Sequence, residues 1–518
     1  MAKDSRKESI QNGTVSSFLS IDGIWFASLY VILGIFVFYS IQSNRNIQTQ
    51  LDSIKEQLIN STSKQSIHRP IAWITGDNIE IGYLHHVIEI FKKIGFVVWT
   101  KSKPPTKQEG EWLILWTHEY PFAPQFNLPQ LESFQKVNHF PGSGFITNKV
   151  NLATSGLKHI PKAFNLPDQK EEFLNFAQEN PEKLWVQKDN THRGIRVKSI
   201  ENLNLDKKGT FIQEFIQNPL LIDGKKFDIG LYVTLTSINP LRLYLYSNEV
   251  LLRFCARQYP FPFNESDVDS YVVGDQYTPI WNIPSLAKYY VGLNMNMKAS
   301  LNAYIKFQLN LDPQSMWNAM EESIKTIYYL KEEKLLNSAK SFEDTRNFFE
   351  MVRFDFALDD QLNVYLMEAN MSPNLASAKF PANRLIYEPV IYNTLSLAGI
   401  TQMPLMMKTW TNKREKLWNM FVNDKDLSIL PDICQQTACD PSNSSSCQDD
   451  QCDACLHCIS DQFKLILKDC YMEEMHRGHY RRLIPSTSKE SPITLGHNNY
   501  LQDKWFIGKC LEDDKWCN

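Results

Sequence analysis

Apolar and polar positions alternate with different periods along this chain. From Gly23 to Asn44 no charged residue occurs, and Ile24 to Tyr39 is almost continuously apolar. A run of about 20 such residues crosses the hydrocarbon core of a bilayer as a helix, so the pattern predicts a transmembrane helix over 23–43 behind a tail, 1–22. Ile47, Leu51, Ile54 and Leu58 recur at helical spacing and predict a stalk helix within a linker, 44–69. From Pro70 an apolar strand, 71–74, precedes a helix with Leu84, Val87, Ile88, Phe91 and Ile94 on one face, and strands follow at 96–100 and 112–116. This order predicts an α/β lobe over 70–149. A central lobe, 150–217, has strands at 184–187 and 194–197 around a polar loop. A third lobe, 218–399, opens with strands at 226–237 and 241–254, continues with helices over 300–336 and ends in a hairpin. The remainder, 400–518, reads as a charged helical extension.

The hairpin carries the densest chemistry. Val352 to Leu358 reads as a strand, Asp359-Asp360-Gln361 as a turn and Asn363 to Asn370 as the returning strand. Period two puts Glu368 and Asn370 on one face, and antiparallel register brings Asp355 opposite Glu368, where like charges repel unless a cation lies between them. Phe354, Phe356, Leu358, Tyr365 and Met367 are expected to bury the other face. Three hard oxygens with no Cys or His among them suit Mg²⁺ shared with nucleotide phosphates rather than zinc. The alternative is a solvated edge hairpin whose acids face water.

Composition changes this picture in two ways. With 54 basic and 58 acidic residues the formal charge is −4, so no global field argues for a nucleic-acid partner. Nine of the ten cysteines fall between Cys434 and Cys517, the pattern of a disulfide-tied tail in an oxidising compartment. Zinc is the alternative for Cys447, Cys452, Cys455 and Cys458, with Cys470 or the pair His476 and His479. Lys3, Arg6 and Lys7 precede the apolar run while Arg45 and Lys55 follow it, a bias that places the large domain on the lumenal or extracellular side of a single-pass anchor. Glycosylation triplets at Asn60, Asn264 and Asn443 are compatible with that side.

Three segments, Gln135–Gly142, Gln213–Asp228 and Tyr365–Leu375, resemble the tubulin tyrosine ligase-like family in sequence, order and separation, and the similarity covers roughly Pro70 to Gly399. The resemblance implies an ATP-grasp fold, in which two α+β lobes hold ATP. The fold class expected is therefore α+β, with an N-terminal α/β lobe, the transmembrane helix and a Cys-rich helical C-terminal extension. It also implies ligation of an amino acid, usually glutamate, to a carboxylate of tubulin or another acidic protein, through an acyl phosphate. Asp355, Glu368 and Asn370 are implied as Mg²⁺ ligands, Lys188 as the lysine on the α- and β-phosphates, and Gln213, Glu214, Phe215 and Ile216 as the hinge along the adenine. Residues 190–196 resemble a flap over the phosphates, with Gly194 permitting close approach. Lys226, Asp228 and Arg242 match catalytic positions that orient nucleotide or acceptor. The segment Glu474–Pro485 is similar to one that glutamylating members carry after the core, a basic surface turn being the alternative.

Departures from the family accompany the likeness. Gly230 stands where an arginine is usual, two residues beyond Asp228; Asp189 stands where proline is usual and Arg196 replaces a flap glycine. Tyr277 to Asn282 occupies the place of a His-Leu-Thr-Asn motif. Arg193, Arg196 and Arg253 are the candidates for restoring the lost charge. Three readings stay open: a glutamate ligase acting on tubulin, a catalytically inactive ATP-grasp binding module, and a lumenal ligase with another acceptor.

Overall fold

The computed structural model describes residues 33–53 except 37, 70–406 and 421–517, with breaks at 78, 80–81, 107, 124–125, 127, 129, 190–195, 199, 443–445 and 488–495. The chain forms two units, Met1–His68 and Arg69–Asn518.

In the first unit, residues 38–53 are helical and exposed. The transmembrane helix expected over 23–43 is corrected here: among the described residues no helix is long and apolar enough to cross a membrane. Residues 23–32 and 37 of the expected span lie outside the described residues. The described helix carries Ser40, Gln42, Ser43, Asn44 and Arg45, whose polar groups a bilayer core would have to desolvate. The expected single-pass membrane localisation is corrected with it. Of the expected stalk, Ile47 and Leu51 lie on this helix, and Ile54 and Leu58 lie outside the described residues.

The second unit contains three sheets. The first is parallel, in the order β2-β1-β3-β4, from β1 (Ile71–Thr75), β2 (Val97–Trp99), β3 (Trp112–Thr117) and β4 (Lys136–Val137). Its central strands β1 and β3 are apolar runs because both faces are covered, and α1 (His85–Ile94) covers one with Val87, Ile90 and Phe91. The second sheet is antiparallel, β5-β8-β6-β7, from β5 (Ala163–Leu166), β6 (Trp185–Asp189), β7 (Arg196–Lys198) and β8 (Thr210–Glu214). It buries Phe164, Phe173 and Trp185 in its own small core. The short helix α2 (Lys149–Ala153) lies between the two sheets in sequence, its first turn capped by the Asn148 side chain.

The third sheet has eight strands and is built on the 14-residue β10 (Lys225–Ile238). On one edge of β10 lie β11 (Leu241–Tyr246) and β12 (Leu251–Phe254), with the short β13 (Thr278–Pro279) beyond β12, while the short β9 (Leu221–Ile222) pairs directly with the first residues of β10. The other edge pairs with β14 (Glu350–Leu358), which pairs in turn with β15 (Val364–Asn370). Period two divides β10 as far as Leu235, after which an irregularity shifts the register. Phe227, Ile229, Leu231, Val233 and Leu235 enter the larger core with Phe354 and Phe356, under α3 (Gln314–Ala339). Asp228, Gly230 and Tyr232 take the opposite face, where Tyr232 meets a second core formed with α4 (Arg384–Leu397) and the first sheet. The chemistry begins where that second core stops.

The Gln135–Gly142 segment secures the first sheet to this assembly. Asn138 receives the Thr117 amide at 2.8 Å and donates to the Thr117 carbonyl at 2.9 Å, while buried His139 bridges that carbonyl and Glu350 of β14. The C-terminal extension is also integrated. Its strand β16 (Tyr480–Ile484) pairs with β11, and α5 (Asp461–His476) and α6 (His497–Glu512) pack around Trp505 and Phe506. The Glu474–Pro485 segment is thus no surface turn: Arg482 is fully buried and pairs with Glu474 at 2.6 Å.

Cysteine usage resolves in favour of disulfides. Cys434–Cys455, Cys439–Cys452, Cys447–Cys458 and Cys510–Cys517 are bonded, while Cys255 and Cys470 are free and buried. All four cysteines of the candidate zinc cluster are consumed in these bridges. Three of the bridges lie within 434–458, where Cys439, Cys452 and Cys455 are themselves the buried residues of the local core. The bridges substitute there for an apolar interior.

Candidate active site

The hairpin forms with the expected register, and Asp355 stands directly opposite Glu368. The ladder contains an irregularity that alternation does not reveal. Asp355 pairs with Glu368 but Phe356 pairs with Leu366, so Met367 is an extra residue on β15, a β-bulge. Before it Val364 and Leu366 are buried; after it Ala369 is buried and Glu368 and Asn370 face outward. Without the extra residue a strand with Leu366 inside would also turn Glu368 into the core. The expectation that Tyr365 and Met367 line the buried face is corrected accordingly: Val364 and Leu366 do so, and Tyr365 and Met367 are half-buried.

One amide joins the two carboxylates. Asn370 Nδ2 donates to Asp355 Oδ2 at 2.9 Å and to Glu368 Oε1 at 3.0 Å. The positive end of the amide dipole thus lies between two like charges, the place where a cation would relieve them. A half-turn of the amide presents Oδ1 instead, giving three oxygen ligands. The donor set fits a hard divalent ion.

Cations surround this trio. Arg353 Nε and Nη2 donate to the two oxygens of Asp355 at 2.6 and 2.8 Å, and Arg253 Nη2 adds a bond at 3.0 Å. Arg253 also holds Asp228 in a two-pronged pair at 2.9 and 2.7 Å. Lys149 of α2 approaches Glu368 at 3.4 Å. Burial opposes the charge on Glu368, yet Lys149, the Asn370 hydrogen bond and Arg353 hold its carboxyl well below the usual range. Burial pushes Asp228 up to about 6, with Arg253 pulling it down and Asp355 pushing it further up. Sequence reasoning named Arg253 only as a candidate and missed Lys149 and Arg353. Arg353 shares a strand face with Asp355 two residues away, which is a readable signal; Lys149 comes from a distant helix with none.

Lys188 at the end of β6 donates to Gln213 of β8 at 2.9 Å. Burial lowers its pKa to about 8, while Glu368 raises it and Lys226 and Lys149 lower it further, which brings all four charges into one electrostatic neighbourhood. Lys226 donates to the Tyr271 carbonyl at 2.9 Å. The amides of Glu214 and Phe215 donate to Lys162 and Leu184, so these two expected hinge donors are committed to the sheet. The Glu214 side chain pairs with Lys183 at 3.0 Å, and Phe215 packs edge-on against Tyr271, with Ile216 buried beside them. Gly194 and most of the expected flap lie outside the described residues.

Arg242 is not brought to the cluster. It pairs across the sheet with Ser237, far along β10 from Gly230, and its guanidinium holds Glu473 of α5 at 2.8 and 2.9 Å. Its guanidinium is buried, also donates to Gln502, and faces the extension, so the structure places it apart from the cluster where it was expected. A cavity of about 1860 Å³ is lined by Asn148 and Met371, the sequence neighbours of Lys149 and Asn370, and by none of the cluster residues themselves.

Residues 128–409 match the tubulin-tyrosine ligase family. Over 490 residues the chain is 38% identical to the "Probable tubulin polyglutamylase ttll-15" of Caenorhabditis elegans, an alignment covering 92% of each protein. The chain belongs to the tubulin-tyrosine ligase family. Its expected enzyme class, an ATP-dependent ligase that forms a carbon–nitrogen bond, is the class of that family. More distant members include the tubulin polyglutamylase TTLL5 of Mus musculus, 32% identical over 51% of this chain and 21% of that protein. The human tubulin monoglutamylase TTLL4 is 28% identical over 57% of this chain and 26% of its own length. With the family established, the α+β ATP-grasp part of the expected fold stands; the membrane-spanning part does not.

Proposed function

We propose that the chain is an ATP- and Mg²⁺-dependent protein-glutamate ligase that joins an amino acid, glutamate by family likeness, to a side-chain carboxylate of tubulin or another acidic protein. The convergence of Asp355, Glu368 and Asn370 on one point carries this reading. Three carboxylates, Asp228, Asp355 and Glu368, face five cations, Lys149, Lys188, Lys226, Arg253 and Arg353, and the surplus positive charge suits a triphosphate.

A carboxylate oxygen leaves only after phosphorylation, so the reaction requires an acyl phosphate on the acceptor before the amino group attacks. Asp355, Glu368 and Asn370 would hold Mg²⁺, which when bound screens the phosphate charge. Lys188 places its ammonium beside the phosphates, and Gln213 aims that ammonium. Arg253 fixes Asp228 and Asp355 relative to one another, so the metal-binding edge is formed before substrate arrives. The lobes over 70–149, 150–217 and 218–399 would then supply, in order, a support, the lysine with its hinge, and the metal ligands.

A second reading keeps this chemistry and changes the acceptor. Four disulfides favour folding in an oxidising compartment, where the acceptor would be an acidic protein other than tubulin. One experiment addresses both: transfer of labelled glutamate, with ATP and Mg²⁺, to tubulin and to acidic peptides of secreted proteins. Label on tubulin supports the first acceptor and label on the peptides alone the second. Loss of label in Glu368→Gln and Asp355→Asn is expected in either case. ATP binding with no transfer to any acceptor would instead support a catalytically inactive binding module.

A further inference from the structure

Gly230 and Arg353 share one volume. Gly230 lies opposite Asp355 in the β10–β14 ladder, and Arg353 lies two residues earlier, opposite Tyr232. A Cβ at Gly230 would stand 2.9 Å from Arg353 Cδ and 3.1 Å from Asp355 Oδ1. The backbone at Gly230 is not left-handed, so glycine is required there for space rather than for conformation. A side chain at 230 would project from the same face as Asp228 and Asp355. Arg353 leans along the sheet through the room its absence leaves.

We propose that Arg353 is the phosphate-binding arginine of this site, delivered from β14 into the space that an arginine at position 230 would fill from β10. The inference rests on the ligase reading above. Asp355 accepts four donated hydrogen bonds: Oδ1 receives Arg353 Nε, and Oδ2 receives Arg353 Nη2, Arg253 Nη2 and Asn370 Nδ2. Arg253 and Arg353 balance Asp228 and Asp355, and Lys149, Lys188 and Lys226 against Glu368 leave positive charge in excess. Once a divalent cation joins Asp355 and Glu368, that excess grows, and cations this close require an anion among them.

The two arginines differ in how free they are to turn to that anion. Arg253 keeps Asp228 as a second carboxylate partner, held by two hydrogen bonds. Both ion-pair hydrogen bonds of Arg353 fall on Asp355, the residue a metal would engage. Metal binding therefore releases Arg353 before Arg253. Its planar fork matches two oxygens of a terminal phosphoryl group, a geometry a lysine cannot supply. The ligand class is the terminal phosphate of a nucleoside triphosphate.

The test is calorimetric binding of ATP and of ADP, each with Mg²⁺, to the full chain, to Arg353→Ala and to the exchange variant Gly230→Arg/Arg353→Gly. Loss of a charge-assisted pair predicts ATP binding weaker by roughly 10- to 100-fold in Arg353→Ala, with ADP binding changed less than about 3-fold. The exchange variant should regain most of the ATP affinity, which a purely structural arginine would not explain. Unchanged ATP binding in Arg353→Ala would overturn the inference, as would equal losses for both nucleotides with no recovery on exchange. If the unmodified chain binds neither nucleotide, the ligase reading fails and this inference with it. A reading that survives with ATP and ADP equally affected isolates the fault to Arg353. Melting curves of both variants report whether each is folded.

Discussion

At Lys188 burial and charge act against one another. Removing the ammonium from water lowers its pKa to about 8, while the Glu368 carboxylate works to keep the proton on. The lysine is cationic below that value and neutral above it, and only the cation attracts phosphate. ATP affinity should therefore fall as pH rises through about 8, and Lys188→Met should both weaken binding and flatten that dependence, as read by calorimetry across pH 6.5–9.5, a window set on either side of the value of about 8. A pH-independent affinity in the unmodified protein would show that Lys188 does not meet the phosphates. Residue types made Asp355, Glu368 and Asn370 legible in the sequence, because two acids and an amide at facing register positions call for a cation. Lys149 was not legible, since its approach depends on how a separate helix docks. Arg353 was legible in principle, as a cation on the acid's own face beside a hole at Gly230, but only the structure shows the two filling one space.

Strand β15 shows where alternation misleads at the scale of an element. Val364 and Leu366 point inward and so does Ala369, a change of parity that one bulge accommodates and that a strict period of two assigns to the wrong side chains. The strand and its register were readable; the extra residue was not. Strand β11 gives the opposite lesson, for Arg242 matches the family by position yet serves the docking of α5. Its pair with Glu473 is buried, with the two side chains 3% and 9% exposed. Removing one partner leaves the other charge unpaired, a loss of about 3–5 kcal/mol. Arg242→Met should accordingly lower unfolding stability by that order in urea titration, while the folded fraction keeps its KM for ATP. A raised KM with unchanged stability would return Arg242 to the site.

Across the whole molecule, the α+β class followed from the order of strand and helix patterns and from the family likeness, whereas the strand that the extension adds to the main sheet did not. That tail reads as helical, charged and disulfide-tied; the four disulfides are present and close short loops, but the strand β16 that it donates to the main sheet depends on contact with a distant segment. Of the transmembrane helix expected over 23–43, the described part runs on into Ser40, Gln42, Ser43 and Asn44, and no described helix is long and apolar enough to cross a membrane. In the proposed reaction β14 and β15 grip a divalent ion beneath a triphosphate. Mg²⁺-dependent ATP binding to the full chain measures that grip most directly. Affinity should depend on Mg²⁺ and drop by at least roughly 10-fold in both Asp355→Asn and Glu368→Gln. ATP binding that survives Mg²⁺ removal and both substitutions unchanged would contradict it.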